Sequence, residues 1–232
     1  MKFGPGESGR RRPYLIAEAG TSHGGDLGRA IELIAAAVES GAECVKFQHL
    51  YADEIIHPRT GLVPLPGGDT PLYEGFRSLE TGPEFIARLR EETLARGADF
   101  LCSPFGKRSL DELADLGMER IKIASPELNH LPLLRRARDR GLSCILSTGV
   151  SRVGEIEEAV EELGAGEHML MHCVTSYPAP PEEYNLQLIP LYGKLFGLSV
   201  GVSDHSLEPE LIPLCGMFMG SAAVEKHFTL DR

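Results

Sequence analysis

The chain has no tryptophan, and its five cysteines among 232 residues form no CxxC pair. Cys44, Cys102, Cys144 and Cys173 each sit inside an apolar, strand-like run. They read as small buried hydrophobes of a reducing compartment, not as a disulfide framework or a thiolate metal site. No apolar core follows Met1, so no secretory leader is expected. Long apolar runs are missing too: the longest uncharged stretch, Leu211 to Val224, is broken by Pro213, Gly216 and Gly220. It is also shorter than the roughly 20 residues that a spanning helix requires. Positive charge is scarce, with 23 Lys+Arg against 34 Asp+Glu and a net charge of -11. Such a balance opposes a general nucleic-acid or anionic-membrane surface, while leaving room for a local cationic pocket. The basic run GRRRP at 9–13 sits among Gly and Ser and reads as a solvated tail. These exclusions leave a cytoplasmic protein with an N-terminal tail at 1–13 and one domain at 14–232. A hydrophobic content of 42% is enough for a substantial core.

What is present is a regular alternation. Strand-like runs occur at 14–19, 43–49, 99–104, 120–125, 143–148, 168–174, 198–204 and 222–228. Between them lie amphipathic stretches such as LGRAIELIAAAVESG and RVGEIEEAVEELG. Gly41, Gly97, Gly117, Gly141 and Gly164 fall where these helices stop. Eight strand-helix units predict an α/β fold, a (β/α)₈ TIM barrel. No GxGxxG follows the first strand, which removes the usual dinucleotide signal. Residues 50–82 are rich in Pro and Gly and predict a long loop on the face where barrel active sites lie. The closing helix that would follow the eighth strand does not occur in this sequence. The outward apolar residues of that strand are therefore expected to need cover from another subunit, the N-terminal segment or a separate chain.

Side chains two apart on a strand share a face. Lys46 and Gln48 therefore point together, as do Ser203 and His205, and Glu225 and His227. In LSVGVSDH the set Leu198, Val200 and Val202 suits packing against helices, which turns Ser199, Gly201, Ser203 and His205 toward the barrel axis. Glu18, Ser103, Lys122, Ser125, Ser147 and Tyr177 extend this into a polar ring at the carboxyl ends of the strands. Two inward lysines with several hydroxyls make an anion site. Two histidines on adjacent strands suit a borderline divalent metal, and a carboxylate nearby can move a proton. Taken singly, each lysine reads equally well as an internal ion-pair partner, and a lone strand histidine as a hydrogen-bonded core residue. His57, His130, His168 and His172 stay in that structural class.

The motifs IAEAGTSHGGD, VKFQ, CSPF, KIASPE, LSTG, HCVTSYPAP, VSDHS and EKHFTLDR occur in order, one per strand, over residues 14–232. Together they resemble the sialic acid synthase family, which includes the spore-coat polysaccharide synthases. The resemblance implies a (β/α)₈ barrel that condenses phosphoenolpyruvate with an amino sugar aldehyde such as N-acetylmannosamine, releasing phosphate and forming a nonulosonic acid. It implies Mn²⁺ or Mg²⁺ held by His205 and His227. Lys46, Ser103, Lys122 and Ser125 would hold the phosphoenolpyruvate carboxylate and nearby phosphate oxygens, with Ser147 and Ser203 on the phosphate. Glu18 would sit between the sugar carbonyl and the attacking water, and Gln48, Glu127 and Tyr177 would contact the sugar.

Three departures bear on that expectation. The loop after the first strand reads Thr21-Ser22-His23-Gly24-Gly25 where the family usually has an Asn-His-Asn type run. Ser176 stands where many members have asparagine, offering phosphate a hydroxyl with fewer donors. The family's closing helix and small C-terminal antifreeze-like domain, which reaches over the partner barrel in the dimer, have no counterpart in this sequence. A homo-oligomer or a separate covering chain is expected in consequence. Two other readings stay open: a related synthase using a different sugar aldehyde, and a non-catalytic barrel in polysaccharide assembly.

Overall fold

A computed structural model of the chain describes residues 12–65 and 68–230. Most of the expected tail, including most of GRRRP, lies outside the described residues. The elements follow the predicted alternation. In chain order they are β1 (Tyr14–Gly20), α1 (Leu27–Glu39), β2 (Cys44–His49), α2 (Ala52–Ile55), β3 (Val63–Leu65), β4 (Gly68–Thr70), α3 (Leu72–Ser78) and α4 (Pro83–Ala95). Then come β5 (Asp99–Pro104), α5 (Lys107–Asp115), β6 (Arg120–Ile123), α6 (Leu131–Asp139), β7 (Ser143–Ser147) and α7 (Val153–Leu163). β8 (Met169–Cys173), α8 (Leu188–Phe196), β9 (Ser199–Asp204), α9 (Leu211–Phe218) and β10 (Ala223–His227) complete the order.

Local chemistry explains where the helices begin and end. Asp26 caps α1 by accepting the Arg29 N–H, and α1 buries Ala30, Leu33, Ile34 and Ala37, one stripe of a 3.6-residue period. All five glycines expected to stop helices have positive φ, for example 91° at Gly41 and 76° at Gly117, the left-handed region that other residues avoid.

Eight strands form one parallel sheet in the order β5-β2-β1-β10-β9-β8-β7-β6. β5 and β6 lie side by side at its two ends, so the sheet curls into a nearly closed barrel. The alternation of faces splits the apolar residues into two cores. Val45, Phe47, Ile121, Ile123, Val200, Val202 and Val224 pack outward with helix residues such as Leu33, Leu89 and Ile212. Tyr14, Ile16, Cys44, Leu101, Ile145, Met169, Met171 and Ala223 fill the barrel interior toward its amino-terminal end. Gly201 is part of that close packing: a Cβ there would collide with Met171 Sδ.

Two expectations need correction. The stretch 50–82 is not a plain loop, because it contains α2, the antiparallel β3–β4 pair and α3. The outward face of β10 is not an exposed apolar strip either. Val224 is 3% exposed within the outer core, and the other outward residue, Lys226, pairs with Asp204. Exposed apolar side chains gather instead on α8 and α9, where Leu191, Leu195, Leu211, Leu214 and Phe218 lie open, with others scattered elsewhere on the surface. Among the described residues, no helix is long and apolar enough to cross a membrane.

Candidate active site

Moving up each strand, the inward residue changes from apolar to polar at about the same height. Above Ile16 on β1 comes Glu18, and above Cys44 on β2 comes Lys46, which lies directly across from Glu18 in the register. Ser103 follows Leu101, Ser147 follows Ile145, and Glu225 follows Ala223. Lys46 Nζ lies 3.1 Å from Glu18 and 3.4 Å from Glu225, bridging two buried carboxylates. Gln48 donates to Glu18 (3.2 Å), and Ser203 donates to Glu225 (2.8 Å). Lys122 donates to Ser147 Oγ (2.5 Å). Among the described residues no carboxylate comes within ion-pairing distance of Lys122. Ser125 Oγ accepts the Gly149 N–H (3.0 Å) and lies 3.2 Å from Cys173 Sγ.

The charges in this ring are unequal in kind. Burial opposes the Lys46 cation, but Glu18 and Glu225 outweigh it and hold its pKa above the ordinary lysine value. Burial pushes Lys122 the other way, below that value, because Glu225 offsets it only in part. Burial raises the Glu18 pKa against the pull of Lys46, and Glu225 adds to the rise. Glu225 is the opposite case: burial is outweighed by Lys122 and Lys46, so its pKa falls. Of the two coupled carboxylates, Glu225 carries the fixed charge and Glu18 is the one able to take up a proton. Ser103 Oγ in this ring is buried with no hydrogen-bond partner, and Glu18 Oε2 and Glu225 Oε2 share one partner, Lys46 Nζ, at 3.1 and 3.4 Å. A polar atom is costly to bury unpaired, so the Ser103 hydroxyl, beside two carboxylates that share one lysine, marks a place for a polar ligand.

At the mouth, His205 and His227 lie with ring centroids 5.5 Å apart. His205 Nδ1 donates to the Val174 carbonyl (2.7 Å), which fixes the tautomer and leaves a lone pair on Nε2. Ser203 Oγ and the Tyr177 hydroxyl are each 3.2 Å from that Nε2. Because Ser203 gives its proton to Glu225, Tyr177 is the donor to His205. The Tyr177 ring also stacks on His205, with centroids 4.3 Å apart. Burial lowers the pKa of both histidines; for His227 it falls to about 4, with His205 and Lys46 contributing. Two neutral imidazoles, one held by a backbone carbonyl, fit a divalent metal of borderline softness. Among the described residues no group of three or more His, Cys, Asp or Glu could hold a metal ion, so the two imidazoles are the donors on offer here.

Some expected residues stand apart from the ring. Ser176 donates to the Pro178 carbonyl (3.0 Å) instead of joining it. Glu127 lies on a short 3-10 turn at the rim, paired with His130 (2.8 Å), a histidine read from sequence as an ordinary loop residue. His23, in the loop that departs from the family pattern, turns away into the outer packing against Phe47 and Phe85. The residue missing from the sequence-derived site set is Glu225. Its inward parity with His227 was legible, but its two lysine neighbours come from strands far away in sequence.

A family model described as the NeuB family matches residues 33–232. The chain belongs to the NeuB family. Family relatives include the spore coat polysaccharide biosynthesis protein SpsE of Bacillus subtilis, 37% identical over 224 residues, or 94% of this chain and 60% of that one. The N,N'-diacetyllegionaminic acid synthase of Campylobacter jejuni is 37% identical over 231 residues, covering 96% of this chain and 69% of the relative. Among solved structures, the N-acetylneuraminic acid synthetase of Leptospira borgpetersenii in complex with citrate superposes with a TM-score of 0.85 at 34% identity, over 95% of this chain and 75% of that one. A truncated 3-deoxy-D-arabino-heptulosonate 7-phosphate synthase from Thermotoga maritima shares the barrel at a TM-score of 0.69 and 15% identity, a likeness of fold alone. The chain thus spans 60% to 69% of the length of the two relatives compared by sequence.

Proposed function

We propose that this chain condenses phosphoenolpyruvate with the aldehyde of an N-acyl amino sugar resembling N-acetylmannosamine, forming a nonulosonic acid and releasing phosphate. The observation that carries this reading is the ring of buried hydroxyls around two buried lysines, Lys46 and Lys122, with Ser103 Oγ unpartnered and Lys122 without a carboxylate in ion-pairing distance among the described residues. The names of the family relatives, synthases of acidic sugars, point the same way. The cysteines, all unpaired, suit a cytoplasmic setting.

The residues divide the work by position. Lys122, short of a carboxylate partner and already aimed by Ser147, holds one anionic group of phosphoenolpyruvate. Lys46 holds another from between its two glutamates. Ser103, Ser125, Ser147 and Ser203 supply hydroxyls to the carboxylate and phosphate oxygens. Held this way, the enol carbon is presented to the sugar carbonyl carbon, and a carbon–carbon bond forms as the carbonyl oxygen gains a proton. Water then adds to the carbon bearing phosphate, and phosphate leaves from the resulting tetrahedral centre with its bridging oxygen. Glu18 can take the proton from that water, because burial favours its protonated form. A divalent ion, Mn²⁺ or Mg²⁺, held by His205 and His227 would polarise the sugar carbonyl. Gln48, Tyr177 and, from the rim, Glu127 are placed for the sugar.

Calorimetric titration with phosphoenolpyruvate tests the anion site. Loss of one charge-assisted contact, about 1.5–3 kcal/mol, weakens binding by about ten- to a hundredfold in Lys122→Ala. Equal affinity in variant and wild type removes the assignment.

A further inference from the structure

β9 and β10 end side by side, and each presents a histidine just after an outward-facing charged residue. Asp204 precedes His205, and Lys226 precedes His227. The register sets Asp204 directly opposite Lys226. Lys226 Nζ donates to Asp204 Oδ2 (2.6 Å) and to the Ser206 carbonyl (3.0 Å). Asp204 is 1% exposed, and its other oxygen accepts the Tyr184 hydroxyl (2.9 Å) and the Ser206 N–H (2.8 Å). The Tyr184 hydroxyl in turn accepts the His205 N–H (2.6 Å). The His205 carbonyl accepts the Ala179 N–H (3.0 Å). The backbone on both sides of His205 is thus tied, through Asp204, to the residue beside His227.

We propose that Tyr184, Asp204 and Lys226 are positioning residues that set the separation and orientation of His205 and His227. The inference rests on the reading of those histidines as the divalent-metal pair. None of the three need touch the ion. They lie on the outer side of the barrel wall, whereas the two imidazoles lie at its mouth. A packed apolar pair at 204 and 226 would hold the strands at least as firmly, since a buried ion pair is poor evidence for stability. What the ion pair adds is register: it has one favourable alignment, and that alignment brings the two histidines level. Tyr184, arriving from the segment between β8 and α8, makes the arrangement directional by fixing the His205 N–H and the Asp204 carboxylate with one hydroxyl. A shift of the Asp204–Lys226 contact displaces each neighbouring imidazole.

The test compares wild type with Lys226→Met, Lys226→Arg, Tyr184→Phe and His205→Ala, using Mn²⁺ alone as the probe. Free Mn²⁺ is followed by electron paramagnetic resonance, and histidine imidazole signals are recorded by NMR on the metal-free proteins. Thermal melts confirm that each variant is folded, and Tyr184→Phe keeps the ring volume should Lys226→Met not fold. Lys226→Met and Tyr184→Phe are expected to weaken Mn²⁺ binding by about ten- to a hundredfold, with Lys226→Arg restoring most of it. In the metal-free spectra the His205 and His227 signals shift, while His168, at the opposite end of the barrel, stays. Variants that bind Mn²⁺ as tightly as wild type overturn the inference and leave the metal reading intact. Wild-type binding that is absent, or unaffected by His205→Ala, overturns the metal reading instead. The metal-free spectra then decide alone: shifted His205 and His227 signals support positioning, and unmoved ones refute it.

Discussion

Replacing Glu225 with glutamine keeps the side chain's shape and an oxygen for Ser203, but removes one of the two negative charges that balance Lys46 and Lys122. Glu18, Lys46, Lys122 and Glu225 are each at most 4% exposed, so water cannot make up the loss. Removing one partner of a buried charge pair costs about 3–5 kcal/mol. The lower end applies here, because Glu18 stays 3.1 Å from Lys46. For a chain of this size, about 3 kcal/mol lowers Tm by roughly 6–12 °C. The variant ring then carries a net positive charge, so inorganic phosphate should raise its Tm by more than that of wild type. The loss also depends on pH. Burial already holds the Lys122 pKa down, and Glu225 is the main charge opposing that fall. In Glu225→Gln it falls further, so above neutrality the unfolded chain binds more protons than the folded one and the stability deficit shrinks as pH rises. Scanning calorimetry in chloride and in phosphate at matched ionic strength, repeated at several pH values above neutrality, reads all three effects. A Tm within about 2 °C of wild type, or an equal phosphate effect on both proteins, refutes the charge-balance reasoning.

Further predictions concern the scaffold and its surface. The Glu54 carboxylate accepts the N–H groups of Arg108 (2.6 Å) and Ser109 (3.1 Å) at the start of α5, so Glu54→Ala should cost about 1–2 kcal/mol in urea unfolding. Burial lowers the pKa of His23, His49, His168 and His172 below 6.5. The unfolded chain therefore gains protons first as pH falls, and stability present above pH 6.5 drops by up to about 1.4 kcal/mol per histidine per pH unit. A urea midpoint unchanged between about pH 7.5 and 5.5 contradicts this. The exposed apolar face of α8 and α9 includes Phe218 at 82% exposure, so Phe218→Glu should shift any self-association toward monomer in light scattering.

The strands were legible because each carries its own face alternation, and six or seven residues suffice to show it. The inward polar residues were legible for the same reason, from Lys46 and Gln48 to Glu225 and His227. What parity cannot show is which strand stands opposite which, and at what height. The two-carboxylate bridge by Lys46 needed β2, β1 and β10 placed together, and the Asp204–Lys226 pair needed the β9–β10 register. The eighth strand lacks a covering helix in sequence but not a neighbour in space, since the outer core covers its outward Val224. The β3–β4 pair escaped notice because three-residue strands bounded by Pro and Gly carry too little pattern to separate from a loop.

Phosphate release from phosphoenolpyruvate is the most direct measurement of the central claim. It is followed with Mn²⁺ or with chelator, against a panel of N-acylated and plain amino sugars and other sugar aldehydes. The expected result is release that requires both the ion and an N-acylated amino sugar, with a nonulosonic acid formed in equal amount. Release without sugar, or no release and no phosphoenolpyruvate binding under any condition, would contradict it.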